Sequence, residues 1–162
     1  MFRLTTLLLF CASLLQAYAA TSGWEYVDCG SSSNPIQIDS IELSPSSPQP
    51  GQDLTITARG VVTEVIEEGA FADVTVKLGR IKLLQRQFNV CEESRKANAD
   101  ISCPVEPGPH EVVHTVTLPK EIPKANFVVL VRGSTVAEEP MLCLDLKIDF
   151  MSSIGSLFSS PF

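Results

Sequence analysis

The side chains with the chemistry for catalysis or metal binding are few: His110 and His114, five cysteines, and the adjacent carboxylates Glu67-Glu68 and Glu138-Glu139. His110 and His114 fall on a predicted strand, where four residues span about 13 Å, too far for both rings to hold one metal ion. Both are read as surface histidines. The glutamate pairs flank turns and read as solvated loop charges. There is no GxSxG elbow and no glycine-rich phosphate loop. Two carboxylates brought together only in space, as glycoside hydrolysis needs, leave no mark in a sequence. The reactive residues therefore point away from an enzyme and imply no cofactor and no metal.

The cysteines depend on compartment. Arg3 is the only charge before Glu25, residues 4–15 form an apolar run, and Ala17-Tyr18-Ala19 places small residues where a signal peptidase inspects them. Residues 1–20 are predicted to be a secretory signal peptide, cleaved after Ala19 or Ala20. The alternative is a retained anchor, but the run is short for a bilayer and no stop-transfer segment follows. Cys11 leaves with the signal. Cys29, Cys91, Cys103 and Cys143 remain, and an even number in an oxidising compartment predicts two disulfides. Three pairings are open. Cys91 with Cys103, across the polar residues 92–102, is the simplest, and Cys29 with Cys143 would then tie the first strand to the last. By loop entropy the local bridge contributes roughly 3 kcal/mol and the long one about 4.7 kcal/mol before strain. The thiols lack the CxxC pairs of zinc ribbons.

These residues must be carried by a folded domain. Hydrophobic residues are 44% and charged residues 19%, enough to bury a core. Lys and Arg number 12 against 19 Asp and Glu, a net charge of -7, which excludes a general nucleic-acid binder. Residues 36–39 alternate apolar and polar, and Ile41-Glu42-Leu43 resumes after a bulge near Ser40. Residues 44–51 hold three prolines and end in Pro50-Gly51, a turn. Residues 54–58, 61–66, 71–84 (bent at Gly79), 112–118, 127–131 and 141–150 are further strands. No segment after the signal sustains a 3.6-residue period. About seven strands predict an all-β, immunoglobulin-like antiparallel sandwich over residues 21–150. A closed barrel is the alternative. Residues 151–162 are Ser-rich and read as a loose, flexible tail.

The strands carry more apolar residues than two inward faces require. Val128-Val129-Leu130-Val131 and Leu83-Leu84 beside Ile81 are apolar on both parities. An ordinary core with an interface, or sheets that stand apart around an apolar cavity, would both explain this, and composition does not choose.

Several short motifs then carry a resemblance. Trp24-Glu25-Tyr26-Val27-Asp28-Cys29-Gly30 is similar to the opening of the secreted ML-domain lipid-recognition proteins. Asn89-Val90-Cys91-Glu92 resembles their D/N-x-C-E element, and Ser102-Cys103-Pro104-Val105-Glu106-Pro107-Gly108 their Cys-Pro motif. Leu118-Pro119-Lys120-Glu121-Ile122-Pro123 looks like a segment of the fungal branch, the phosphatidylglycerol/phosphatidylinositol transfer proteins related to the small Niemann-Pick type C sterol carrier. Met141-Leu142-Cys143-Leu144 matches the last cysteine strand. Together these cover about residues 24–150. The animal sterol carrier has an early third disulfide where this chain has its proline-rich 44–51.

The resemblance implies a seven-stranded sandwich with lipid held in an apolar cavity between the sheets, and Cys29–Cys143 with Cys91–Cys103. It implies a monomeric lipid carrier of the secretory pathway, in a vacuole or lysosome lumen or outside the cell. Its ligand would be a sterol or an anionic phospholipid, its contact with membranes transient. A secreted recognition module without transfer activity is the alternative. The lining is expected from Ile81, Leu83, Phe88, Val90, Ile101, Pro104, Val105, Val113 and Phe127. Lys77, Arg80, Lys82 and Arg86 form one cationic run without an acid between Asp73 and Glu92, and are expected to meet anionic headgroups.

Overall fold

The computed structural model describes residues 23–96 and 101–151. The expected signal peptide and all of the expected tail but Met151 lie outside the described residues. Eight strands and one short helix follow in order: β1 Trp24–Asp28, β2 Ile36–Ser44, β3 Asp53–Val62, β4 Phe71–Leu78, β5 Ile81–Asn89, α1 Val90–Lys96, β6 Gly108–Thr117, β7 Asn126–Ser134 and β8 Pro140–Asp149. They form two antiparallel sheets, one of five strands in the order β1-β8-β7-β4-β5 and one of three in the order β2-β3-β6. The expected sandwich is present, with local differences from the sequence-based segments.

The predicted break before Val61 is absent. β3 runs straight through Gly60, because the missing side chain admits the neighbouring strand: a Cβ there would collide with the Gln37 carbonyl oxygen. The β2 register slips between Ile38 and Ser40 beside this point, leaving Asp39 as the bulge. Residues 71–84 are not one bent strand. Gly79, at φ +57°, turns the chain back so that Leu78 pairs with Ile81, a tight hairpin.

The helix is a second departure. Val90–Lys96, running into the polar stretch after Cys91, is helical for seven residues, too few to show a periodic apolar face. Local devices hold it instead. Asn89 Oδ1 accepts the Glu92 N–H at 2.9 Å as a cap, Glu92 and Glu93 stand in the first turn, and Arg95 and Lys96 in the last.

Both disulfides join the pairs chosen above, with Cα atoms 4.9 Å apart for Cys29–Cys143 and 5.7 Å for Cys91–Cys103. The first clips the end of β1 to β8. The second ties buried Cys91 of α1 to the segment before β6. That segment is anchored again where Ile66 and Val105 exchange backbone hydrogen bonds of 3.0 and 2.9 Å. Val62, Ile66, Ala70, Val105 and Met141 form the buried cluster at this end. At the other end Phe127 meets Phe150 edge to face, ring centres 5.6 Å apart.

Gly60→Ala should lower unfolding stability by about 2 kcal/mol or more, since the backbone of β2 must move to admit a methyl group. A urea midpoint equal to that of the parent protein would show that β2 yields without cost.

Candidate functional site

The inner face of the three-stranded sheet is apolar by register. Ile36, Ile38, Ala58, Gly60, Val62 and Val112 line a cavity of about 390 Å³, closed at one end by Ile66, Val90, Ile101 and Val105. Glu93, Ser94, His110 and His114 supply its polar side chains. Arg59 also borders it, yet its guanidinium turns outward to Glu42 at 3.0 Å and Glu111 at 2.5 Å. Hydrogen bonds to Glu111 and Glu42, and their charges, raise the Arg59 pKa further above its ordinary value. The Ser94 hydroxyl donates to the Ile101 carbonyl, and Val90 N–H donates to Ala70 O at 2.9 Å, so α1 is pinned as a roof.

The five-stranded sheet presents a matching apolar face. Pairing sets Val74 beside Val131, Val76 beside Val129 and Leu78 beside Phe127, with Leu84, Arg86 and Phe88 opposite Val76, Val74 and Ala72. Val74, Val76, Val129 and Val131 are only half-buried, and Leu84 remains 45% exposed. Among the described residues, then, buried apolar side chains collect on β2, β3, β7 and β8 and around Ile66, and apolar surface stays uncovered along the β5 side. The outer faces carry the paired charges, including Arg132–Asp145 and Lys147–Glu25, each at 2.6 Å.

The structure distributes the expected lining residues widely. Val90, Ile101 and Val105 stand in the cavity wall. Phe88 lies on the inner face of β5. Ile81 and Leu83 are exposed near the hairpin tip, at 64% and 52%. Pro104 is exposed beside the bridge. Phe127 is buried against Phe150 at the opposite end. Val113 faces outward and is 49% exposed, while its neighbour Val112 faces the cavity. The histidines differ from the surface reading: both are half-buried in the cavity wall, and His110 Nε2–H donates to the Glu106 carbonyl at 2.8 Å. Alternation along β6 carried the signal, since Glu111, Thr115 and Thr117 share the parity of Val113 and Val112 shares that of the histidines.

The cationic run also divides. Lys77 and Lys82 are paired on the outer face, Arg80 occupies the hairpin turn, and Arg86 stands on the inner face across from Val74. Lys96, at the end of α1, is held above its ordinary pKa by the hydrogen bond and charge of Glu93, with Arg86 among the weaker opposing charges. Glu68 approaches the Cys91 and Cys103 sulfurs. Those sulfurs are joined to each other and offer no thiolate to a metal.

The ML-domain family model matches residues 23–150. A phosphatidylglycerol/phosphatidylinositol transfer protein of Cryptococcus neoformans is 60% identical over 130 residues, covering 80% of this chain and 72% of that protein. Two solved structures share the fold. A Niemann-Pick type C2 protein from Japanese carpenter ant matches with a TM-score of 0.61 at 14% identity, over 77% of this chain and 98% of that one. Chicken MD-1, solved in complex with lipid IVa, matches with a TM-score of 0.54 at 18% identity, over 78% and 88%.

Two neighbouring substitutions on β6 test the cavity. Val112→Trp should fill it and reduce uptake of an apolar fluorescent probe at least tenfold, whereas Val113→Trp, on the outer face, should leave uptake within about twofold. Equal losses in both variants would contradict the assigned parity.

Proposed function

We propose, because this chain belongs to the ML-domain family, that it is a soluble lipid carrier which takes a lipid between its sheets and moves it between membranes. The observation that supports this most is the apolar cavity under α1, continuous in character with the uncovered inner face of β4, β5 and β7. Its volume lies within the usual range for small-ligand sites, roughly 300–1,000 Å³. A diacyl phospholipid needs more room than the cavity alone, and the uncovered face supplies it. The chemistry is shielding. Each methylene kept from water is worth about 0.8 kcal/mol, so a lipid leaves a bilayer for water slowly. An apolar enclosure offers the chains nearly the environment they leave. The exchange is then close to balanced and the barrier to desorption falls.

An anionic phospholipid is the ligand favoured by the named relative, with sterol as the other member of the same reading. The compartment is the secretory pathway, in a vacuole or lysosome lumen or outside the cell. Two disulfides suit those oxidising surroundings. Among the described residues no helix is long and apolar enough to cross a membrane. The protein works as a monomer that meets membranes transiently.

The contact with membranes is made by the β4–β5 hairpin tip. There Ile81, Leu83 and Leu84 are exposed beside Lys77, Arg80 and Lys82. Cations near an anionic bilayer are worth about 1 kcal/mol each, and the apolar side chains can enter the headgroup layer. From that tip, the inner-face residues of β5 lead along the sheet edge towards α1.

Transfer of fluorescent phosphatidylglycerol between vesicles tests the reading. The wild-type protein should accelerate it, more so as the anionic content of the vesicles rises. Replacing Lys77, Arg80 and Lys82 together by Gln should slow transfer between anionic vesicles by roughly ten- to a hundredfold. Stoichiometric lipid binding without any transfer would instead make the protein a recognition module.

A further inference from the structure

Arg86 is set apart from the other strand cations of this protein by the face it occupies, not by the lack of a carboxylate, which among the described residues it shares with Lys77, Arg80, Lys82, Lys120 and Lys124. Arg59, Arg95, Lys96, Arg132 and Lys147 each hold a carboxylate within 4.0 Å and lie on outer faces or on α1. Arg86 is on the inner face of β5, opposite Val74 and two residues from Phe88. Among the described residues it holds no carboxylate, and no other cation from a strand shares an inner face. Its guanidinium carbon stands 5.6 Å from the centre of the Phe88 ring. This cation–π contact holds the guanidinium near the ring, and among the described residues no hydrogen bond occupies its N–H groups.

The position is equally specific. β5 is an edge strand, so Arg86 is exposed where the apolar face ends. α1 begins directly after β5, and its Val90, Glu93 and Ser94 face His110, Val112 and His114 across the cavity. A lipid with its chains on the apolar faces would present its polar end at this edge. A planar guanidinium at such a boundary pairs with a phosphodiester through two parallel hydrogen bonds, which a lysine cannot reproduce.

Building on the carrier function proposed above, we infer that Arg86 reads the ligand headgroup: it binds the phosphodiester of an anionic phospholipid at the β5 edge and makes the protein prefer a net-negative headgroup. Phosphatidylglycerol leaves Arg86 as the neutralising charge. In phosphatidylcholine the choline already compensates the phosphate, so the same contact gains less. A sterol makes no such contact.

The test uses titration calorimetry on the whole protein with dioctanoyl phosphatidylglycerol and dioctanoyl phosphatidylcholine, both kept monomeric, so that no membrane surface contributes. The wild-type protein should bind the glycerol lipid about tenfold more tightly than the choline lipid, as a charge-assisted hydrogen bond implies. Arg86→Gln should bring phosphatidylglycerol down to the phosphatidylcholine value, and Arg86→Lys should recover only part of the preference. Glycerol phosphate, lacking chains, should not compete. Retention of the full preference by Arg86→Gln would overturn the inference, as would equal losses for both lipids, which signify a structural role. Competition by glycerol phosphate at lipid-like concentrations would make the site one for free phosphate and also overturn it. If neither lipid bound the wild-type protein, the carrier function itself would fail, a result distinct from an unchanged preference.

Discussion

The sandwich is built from two apolar faces that do not fully cover one another. Every strand pair satisfies its backbone within its own sheet, so neither sheet needs the other for hydrogen bonding. What draws the sheets together is apolar surface, buried in clusters at the two ends and at Ile41, Leu43 and Leu54 of β2 and β3 and Leu144 of β8. The cluster around Ile66 and Met141 closes one end, and Phe127 with Phe150 belongs to the other. Between them the half-buried valines of β4 and β7 retain surface that water wets unfavourably. A fold in this condition either packs further or accepts an apolar guest. The α1 roof over this space is held by the Cys91–Cys103 bridge, and the segment it is tied to by the Ile66–Val105 pairing.

Charge is sorted by face rather than spent on stability. The ion pairs of Arg59, Arg132 and Lys147 lie on outer surfaces and are exposed, so solvent screening leaves each a minor contribution to stability. Their value is to keep the outside polar on a protein whose inside is unusually bare. Against that arrangement, the arginine on the inner edge of β5 and the histidines of β6 are polar groups set on otherwise apolar inner faces.

Much of the fold was legible in the residues. The alternation of β8, the proline turn after β2, the bulge beside Ser40 and both disulfides are local or compositional signals, and each is present in the structure. Features that depend on a partner strand were not legible. Gly60 looks like a strand breaker until β2 lies against it. Gly79 reads as a bend, because nothing in residues 71–84 says that the two halves pair with each other. The helix of α1 is two turns long and held by a cap and a bridge, so it has no period to detect. The site suffered most from register. Choosing Val113 over Val112 reverses a face, and the outward Glu111, Thr115 and Thr117 were the clue. The cations at 77, 80, 82 and 86 are neighbours in sequence, yet the hairpin and its bulge send the last to the opposite face.

The central claim is that a single lipid occupies the space between the sheets. Native mass spectrometry of the protein, after incubation with mixed phospholipid vesicles and removal of the vesicles, addresses it directly. The account predicts a complex heavier than the bare chain by the mass of one phospholipid, with phosphatidylglycerol enriched over its share in the vesicles. A spectrum containing only the bare chain, or a variable number of lipids in proportion to their abundance, would contradict it.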